Sequence, residues 1–343
     1  MKPPLTAGIL GLGACLPELI RGGDDPVFSA IRGGTEALRA ISTGVRERRA
    51  LAPGEKLVDL MASAARSALA SARTSPSEID RLIGYESLSE YLTPNGLYLL
   101  HRELELPART MVLPLNCDFS NFVLGIAQAA EAIAAGRCGK ALVVCGSNWT
   151  RFVDHTKPHA ALAGDGAGAA VIGASERLAV VDYAVETDSR SFELWTMKAR
   201  VLEGPDGRYV RLGDDGLPAP TYELARDAAP AFLARGVEIP VRLARRLLAE
   251  HGVSPSEVTL IPHQTRALID AWAAAIEPGA VLHTCESLGN MSHASIPVTL
   301  ARRAAEVHTP YILLISVGTG SHFAVMLLRT GSQAPSAQRE DRP

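Results

Sequence analysis

The chain predicts an α/β architecture built from two similar halves, on the strength of an internal echo, a repeated helix–strand order and long apolar strand runs. Residues Leu69 to Ile83 read as a helix, a Ser75-Pro76-Ser77-Glu78 turn and a strand. Residues Leu248 to Ile261 read the same way around Ser254-Pro255-Ser256-Glu257. In both turns the proline sits at a permitted early position. Each half then repeats a helical pattern followed by an apolar strand. Phe122 to Ala135 precedes Ala141-Leu142-Val143-Val144, and Ile296 to Glu306 precedes Tyr311-Ile312-Leu313-Leu314. Unbroken apolar strands belong to sheets covered by helices on both faces. Self-similarity at this spacing implies a duplicated fold, with halves at 1–175 and 176–330. The polar, Ser/Gln/Pro-rich stretch 331–343 is expected to be a disordered tail.

Taken in order, the first element is a strand near Leu5 to Leu12 that turns at Cys15-Leu16-Pro17. A short apolar run before a cysteine also resembles a lipoprotein cleavage site. Gly8 and Gly11 interrupt it, however, and only Lys2 precedes it, so a buried strand is the expectation. Between the halves, Asp182 to Pro220 reads as irregular, with Gly204-Pro205-Asp206-Gly207 and Gly213-Asp214-Asp215-Gly216 turns. Long connections of this kind often carry part of a binding site.

Composition narrows the function. With 343 residues, 47% of them apolar, the chain has ample material for a large core. A formal charge of −3 and the lack of a long basic run give no reason to expect nucleic acid. No apolar stretch is long enough to span a bilayer, so no membrane partner is expected. The five cysteines lack metal-ligand spacing, which predicts reduced thiols in a cytoplasmic protein and no metal site.

Two distant stretches carry the chemistry. Ile261-Pro262-His263-Gln264 and Leu288-Gly289-Asn290-Met291-Ser292-His293-Ala294-Ser295-Ile296-Pro297 each deliver a polar side chain from a short apolar run, just before a helical pattern. A His and an Asn brought together can donate two hydrogen bonds to one carbonyl oxygen, which stabilises an enolate or oxyanion. Further glycine-containing motifs fall in sequence around them. These are Gly11-Leu12-Gly13-Ala14-Cys15-Leu16-Pro17, Thr43-Gly44-Val45-Arg46-Glu47-Arg48-Arg49, Ala163-Gly164-Asp165-Gly166-Ala167-Gly168-Ala169-Ala170 and Gly318-Thr319-Gly320. In this order and spacing, from Gly8 to Arg329, the chain resembles the thiolase superfamily, in particular its ketoacyl-ACP synthase III branch and related acyltransferases.

That resemblance implies a duplicated, five-layered αβαβα fold acting as a homodimer. It implies substrates delivered as CoA or acyl-carrier-protein thioesters, with no tightly bound cofactor. It implies a cysteine at a helix N-terminus that accepts the acyl group, after which His263 and Asn290 activate the second substrate.

The nucleophile leaves two readings open. A helix N-terminus lowers a thiol's pKa, and Cys117 lies just before the helical pattern that starts near Ser120. Yet the family pattern Leu-Asn-x-x-Cys aligns without gaps on Leu115-Asn116-Cys117-Asp118-Phe119, which puts Phe119 in the cysteine slot. Shifting Cys117 into the slot within the helix would rotate the helix by roughly 200°. Either Cys117 works from a displaced position, or the acyl-accepting thiol is gone and Phe119 plugs the site. The second reading allows a non-acylated subunit paired with an active homologue.

The resemblance assigns further expectations. Gly318-Thr319-Gly320 is a turn whose Thr319 N–H joins the N–H of Phe119 in an oxyanion hole, although the family has glycine where Thr319 stands. Arg46, Arg48 and Arg49 are candidates for the phosphates of CoA or an acidic carrier protein. Arg266 stands where the family commonly has asparagine. Arg242, Arg245 and Arg246 on a predicted helix are a candidate docking face for the carrier, although a solvated basic helix face is the more frequent explanation of such a cluster. Leu38 replaces the aromatic that stacks on adenine, and Ser42 replaces an arginine, which favours a carrier-protein thioester over CoA. His293 and His322 are read as structural or pocket-lining, and Gly164-Asp165-Gly166 as structural, since it lacks the lysine of a phosphate loop. The combined expectation is an acyltransferase of specialised metabolism.

Overall fold

Apolar runs become strands, and the strands assemble into one ten-stranded sheet. The structure, a computed structural model, describes residues 5–29, 31, 44–91, 93–197, 201–203, 209–211, 223–224, 228–263 and 265–331. The strands are β1 (Ala7–Cys15), β2 (Arg81–Glu86), β3 (Met111–Pro114), β4 (Lys140–Ser147), β5 (Gly166–Ala174), β6 (Ala179–Thr187), β7 (Val258–Pro262), β8 (Ala280–Val281), β9 (Tyr311–Gly318) and β10 (His322–Arg329). Their order is β8-β7-β9-β10-β6-β1-β5-β4-β2-β3. Read outward from the centre, the second set (β6-β10-β9-β7-β8) repeats the first (β1-β5-β4-β2-β3). The register repeats too. Leu82 faces Leu142 in the parallel pair β2/β4, and Leu260 faces Leu313 in the parallel pair β7/β9.

The main helices are α1 (Leu57–Ser71), α2 (Gly96–Glu103), α3 (Asn121–Ala134), α4 (Ala228–Glu250), α5 (Arg266–Ile276), α6 (Cys285–Leu288) and α7 (Ser295–Arg303). Three apolar cores sort them into layers. One core packs α1 and α2 on the outer face of the first strand set, and another packs α4 and α5 on the second set. The third contains Phe122, Ile126 and Ile133 of α3 with Ile296 and Leu300 of α7, set against strands of both halves. Five layers result, with α3 and α7 in the middle. A helix held between two strand sets buries most of its circumference, and α3 accordingly buries nine of its residues.

The echoed Ser-Pro-Ser-Glu turns are short helical turns closed by the same capping box. Ser75 pairs with Glu78, and Ser254 with Glu257. The buried opening strand is also present. The connection from Asp182 departs from expectation, because residues 182–187 belong to β6 and pair with β10 from His322 to Leu327. Polar Asp182 and Glu186 obscured the strand pattern. Beyond it come a helical turn (Ser189–Leu194) and two short ribbons, 195–196 with 223–224 and 201–203 with 209–211. Leu38, Ser42, Thr43, Gln264 and the tail from 332 lie outside the described residues. Among the described residues, no helix is long and apolar enough to cross a membrane, and no group of three metal-ligating side chains forms.

Candidate active site

Strand β7 ends at Pro262, and the N–H of His263 extends its ladder by donating to Ile315 O at 2.8 Å. This fixes the imidazole at the C-terminal edge of a parallel strand, where α/β sheets gather ligands. Asn290 comes from the turn after α6 and is clamped by the other half. Its N–H donates to Leu162 O at 2.7 Å, and its carbonyl accepts from Gly164 N–H at 2.9 Å. Gly289 permits this approach: its φ is +66°, and a Cβ there would lie 2.6 Å from Leu162 O.

The two side chains meet. Asn290 Nδ2 lies 3.3 Å from His263 Nε2. The amide orientation is set, because Asn290 Oδ1 accepts from Ser292 N–H at 2.8 Å, leaving Nδ2 to face the imidazole. His263 Nδ1 has no hydrogen-bond partner among the described residues, so nothing pins the ring proton there. Asn290 Nδ2 only donates, so in this arrangement Nε2 accepts from it. Once the ring proton moves to Nε2, both groups can present N–H to a single entering oxygen. Burial pushes His263 down to about 4, which keeps the imidazole neutral at physiological pH.

Phe119 occupies the space beside this pair. Its ring stacks on His263 with centroids 5.8 Å apart and planes 13° from parallel. It also meets His293 edge-on at 5.0 Å. Ser120 is the N-cap of α3, so Phe119 stands immediately outside a helix N-terminus. Asp118 and Phe119 adopt φ of +40° and +77°, a left-handed turn that costs energy for residues with a Cβ and is typical of functional sites. Cys117 lies two residues earlier, half-buried. Burial and then the Asp118 carboxylate push its thiol above the ordinary range, the reverse of an activated nucleophile.

Gly318 holds the opposite wall. A Cβ there would overlap the carbonyl oxygen of Asp118, so the end of β9 packs directly on the 118–119 turn. The following turn uses left-handed geometry at Gly320 (+67°) and Ser321 (+52°), not at Thr319, which is how a β-branched residue fits. Ser316 Oγ bonds Ser120 Oγ at 2.5 Å, fixing the start of α3 to β9.

The arginines divide. Arg48 is buried, bonds the carbonyls of Gly22 and Ala161, and lies over the Phe28 ring, so it is unavailable to a phosphate. Arg49 bonds the carbonyl of Pro17. Arg46 remains exposed and meets Glu286 at 4.0 Å, while Arg266 bonds Glu286 and Asp270. Arg242 is engaged by Glu186 and Arg245 by Ala275 O, while Arg246 lies 3.7 Å from Glu250. Asp165 is structural, as expected. It accepts from Leu51 N–H and from the N–H and hydroxyl of Thr150. His322 bonds Thr187. The contact that sequence reasoning missed is Asn121 with His293, 172 residues apart, at 2.6 Å.

Comparison with known proteins agrees with this architecture. The model for 3-oxoacyl-(acyl-carrier-protein) synthase III matches residues 115–189, and the model for its C-terminal region matches 248–330. The beta-ketoacyl-(acyl-carrier-protein) synthase III of Alkalilimnicola ehrlichii is 30% identical over 94% of this chain and 99% of its own length. This chain belongs to the ketoacyl-ACP synthase III family. The crystal structure of the Pseudomonas aeruginosa synthase III is 26% identical and superposes with a TM-score of 0.78, covering 94% of this chain and 98% of that one. A priming beta-ketosynthase from a polyketide biosynthetic pathway, 24% identical, shares the fold at a TM-score of 0.84 over 98% of both chains.

Proposed function

We propose that this ketoacyl-ACP synthase III relative is an acyltransferase of specialised metabolism that acts on an acyl or malonyl thioester directly, without forming an acyl-cysteine. His263 and Asn290 bind the thioester carbonyl and stabilise the enolate or oxyanion that develops there. The Thr319 N–H serves as a further donor. The thioester arrives on acyl-carrier protein or CoA, past Arg46 and Arg266, and the working unit is a homodimer. The observation that carries this reading is the Phe119 ring stacked on His263. Cys117, two residues before Phe119, has its thiol pushed above the ordinary range by burial and then by the Asp118 carboxylate.

The test incubates the protein with acetyl and malonyl thioesters of CoA and of a carrier protein. Intact mass and carbon dioxide release are followed. Consumption of thioester without a protein adduct is expected, with kcat/KM lowered on the order of 10²–10³-fold in His263→Ala and Asn290→Ala. An acyl adduct that disappears in Cys117→Ser would overturn the proposal. Phe119 also suits a non-acylated subunit of a heteromeric ketosynthase, in which case turnover appears only after a homologous subunit is added.

A further inference from the structure

Away from His263, two buried oxygens lack partners on the same small cavity. Glu86 ends β2 and Asn148 follows β4, strands that run parallel with Glu86 opposite Gly146. The two residues are only 7% and 6% exposed. Glu86 Oε2 and Asn148 Oδ1 have no hydrogen-bond partner among the described residues. The amide orientation is set: Asn148 Nδ2 donates to Leu88 O at 3.3 Å, which leaves Oδ1, an acceptor, unpaired. Both residues line a cavity of about 20 Å³ between the starts of α1 and α2, room for one particle of water's size. Beside the carboxylate its wall is bare, because a Cβ on Gly96, the first residue of α2, would lie 1.5 Å from Oε2. Burial pushes the Glu86 carboxyl above its ordinary range, as does the Glu90 carboxylate, against a hydrogen bond from Ser89. Arg151, also on this cavity, is committed to the carbonyls of Ala52 and Glu55, and Lys56 is exposed. A water would satisfy both oxygens yet leave a buried charge uncompensated, which is the costlier deficit.

We propose that this cavity is a binding site for a small monovalent cation (sodium, potassium or ammonium), held by Glu86 Oε2 and Asn148 Oδ1. One buried carboxylate matches one positive charge, and both donors are hard oxygens. Calcium gathers about six to eight oxygens and magnesium keeps several waters, which this volume excludes. The site sits behind the paired amide and imidazole. Ser147, next to Asn148, bonds Ser292 at 2.9 Å, and the Ser292 N–H holds Asn290 Oδ1 at 2.8 Å. A cation that ties Glu86 to Asn148 thus fixes the strand ends on which the Asn290 side chain rests. Binding there requires neither a thioester nor turnover.

The test follows thermal unfolding of the full chain by circular dichroism in the chlorides of sodium, potassium, ammonium and methylammonium. Tetramethylammonium chloride, too bulky for the cavity, supplies the same ionic strength as reference. At about 100 mM, the best-fitting ion is expected to raise the midpoint by about 2–3 °C over the reference, as a millimolar dissociation constant requires. The gain should shrink below about 0.5 °C in Glu86→Gln and Asn148→Ala, which each remove one of the two oxygens. A gain with ammonium and methylammonium alone marks the ammonium group of an amine as the ligand, and a gain with sodium or potassium marks a metal ion. Either supports the site. Equal midpoints in every salt overturn it, since the cavity then holds a water or Glu86 is protonated toward Asn148. A gain that survives in Glu86→Gln, or one seen only with magnesium or calcium chloride, overturns it as well. The parent's own salt series decides whether an ion binds even where a variant fails to fold.

Discussion

At the scale of single residues, two imidazoles stored in their neutral form make stability depend on pH. His263 and His293 sit at about 4 and about 3, below the 6.5 of a free histidine. Between those values the unfolded chain binds the extra protons, so each ring's contribution is present above pH 6.5 and is lost as pH falls through the folded value. Asp165 acts in the opposite sense. Its carboxyl is raised to about 6 by burial, so its contribution is lost as pH rises toward 6. The net slope of the whole protein therefore hides the histidines, and the difference from a variant reveals them. We expect His293→Gln to unfold with a smaller loss of stability between pH 6.5 and 4.5 than the parent, by an amount on the order of 1–3 kcal/mol. Urea titrations across that range measure it, and parallel curves for the two proteins would exclude a buried neutral His293. The sequence made His263 and Asn290 legible because each ends an apolar run beside a glycine or proline. Phe119 was legible from register alone. The His293–Asn121 pair was not, because neither residue has a local pattern and 172 positions separate them. Arg48 misled for the same reason: its stem and head are covered by segments around residues 22, 28 and 161, which only the fold brings near.

At the scale of elements, the site depends on how closely β9 approaches the turn before α3. That approach has no slack at Gly318, whose missing Cβ leaves room for the Asp118 carbonyl. The φ of Gly318 is −128°, which any residue adopts, so the requirement there is space alone. Gly136, just past α3, presents the converse case, with φ of +67° and open surroundings. Gly136→Ala should then cost about 1 kcal/mol from backbone strain, with activity unchanged. Gly318→Ala should cost roughly 2–3 kcal/mol and lower turnover at least ten-fold, because the displaced 118–119 turn carries Phe119 away from His263. Denaturation midpoints and thioester turnover for the pair decide this, and equal turnover in both variants would show that the turn is not tightly coupled to the site. The elements themselves were mostly readable. Capped Ser-Pro turns and apolar β4, β7 and β9 follow from local pattern, whereas β6 hides behind Asp182 and Glu186.

At the scale of the molecule, the two halves meet where the chemistry is placed. Phe119 and Asn121 come from the first strand set's side, and His263, Asn290 and His293 from the second. Contacts between Ser147 and Ser292, Ser120 and Ser316, and Asn290 and the 162–164 segment tie them together. The shared middle core of α3 and α7 is apolar toward both strand sets, so neither half can bury its inner face alone. A chain of this length is large enough to populate intermediates, yet this geometry opposes separate unfolding of the halves. Nature has placed a reporter in each: Trp149 is buried in the first half and Trp272 in the second. With Trp195 replaced by Phe throughout, the variants Trp149→Phe and Trp272→Phe each leave one emitter. Once each is referred to its own circular dichroism transition, fluorescence from either emitter should follow the same curve to within about 0.2 M denaturant, as one cooperative unit requires. An emitter whose signal moves well ahead of the dichroism change would mean that one half opens first. The site built between the halves would then be lost before the bulk of the helices.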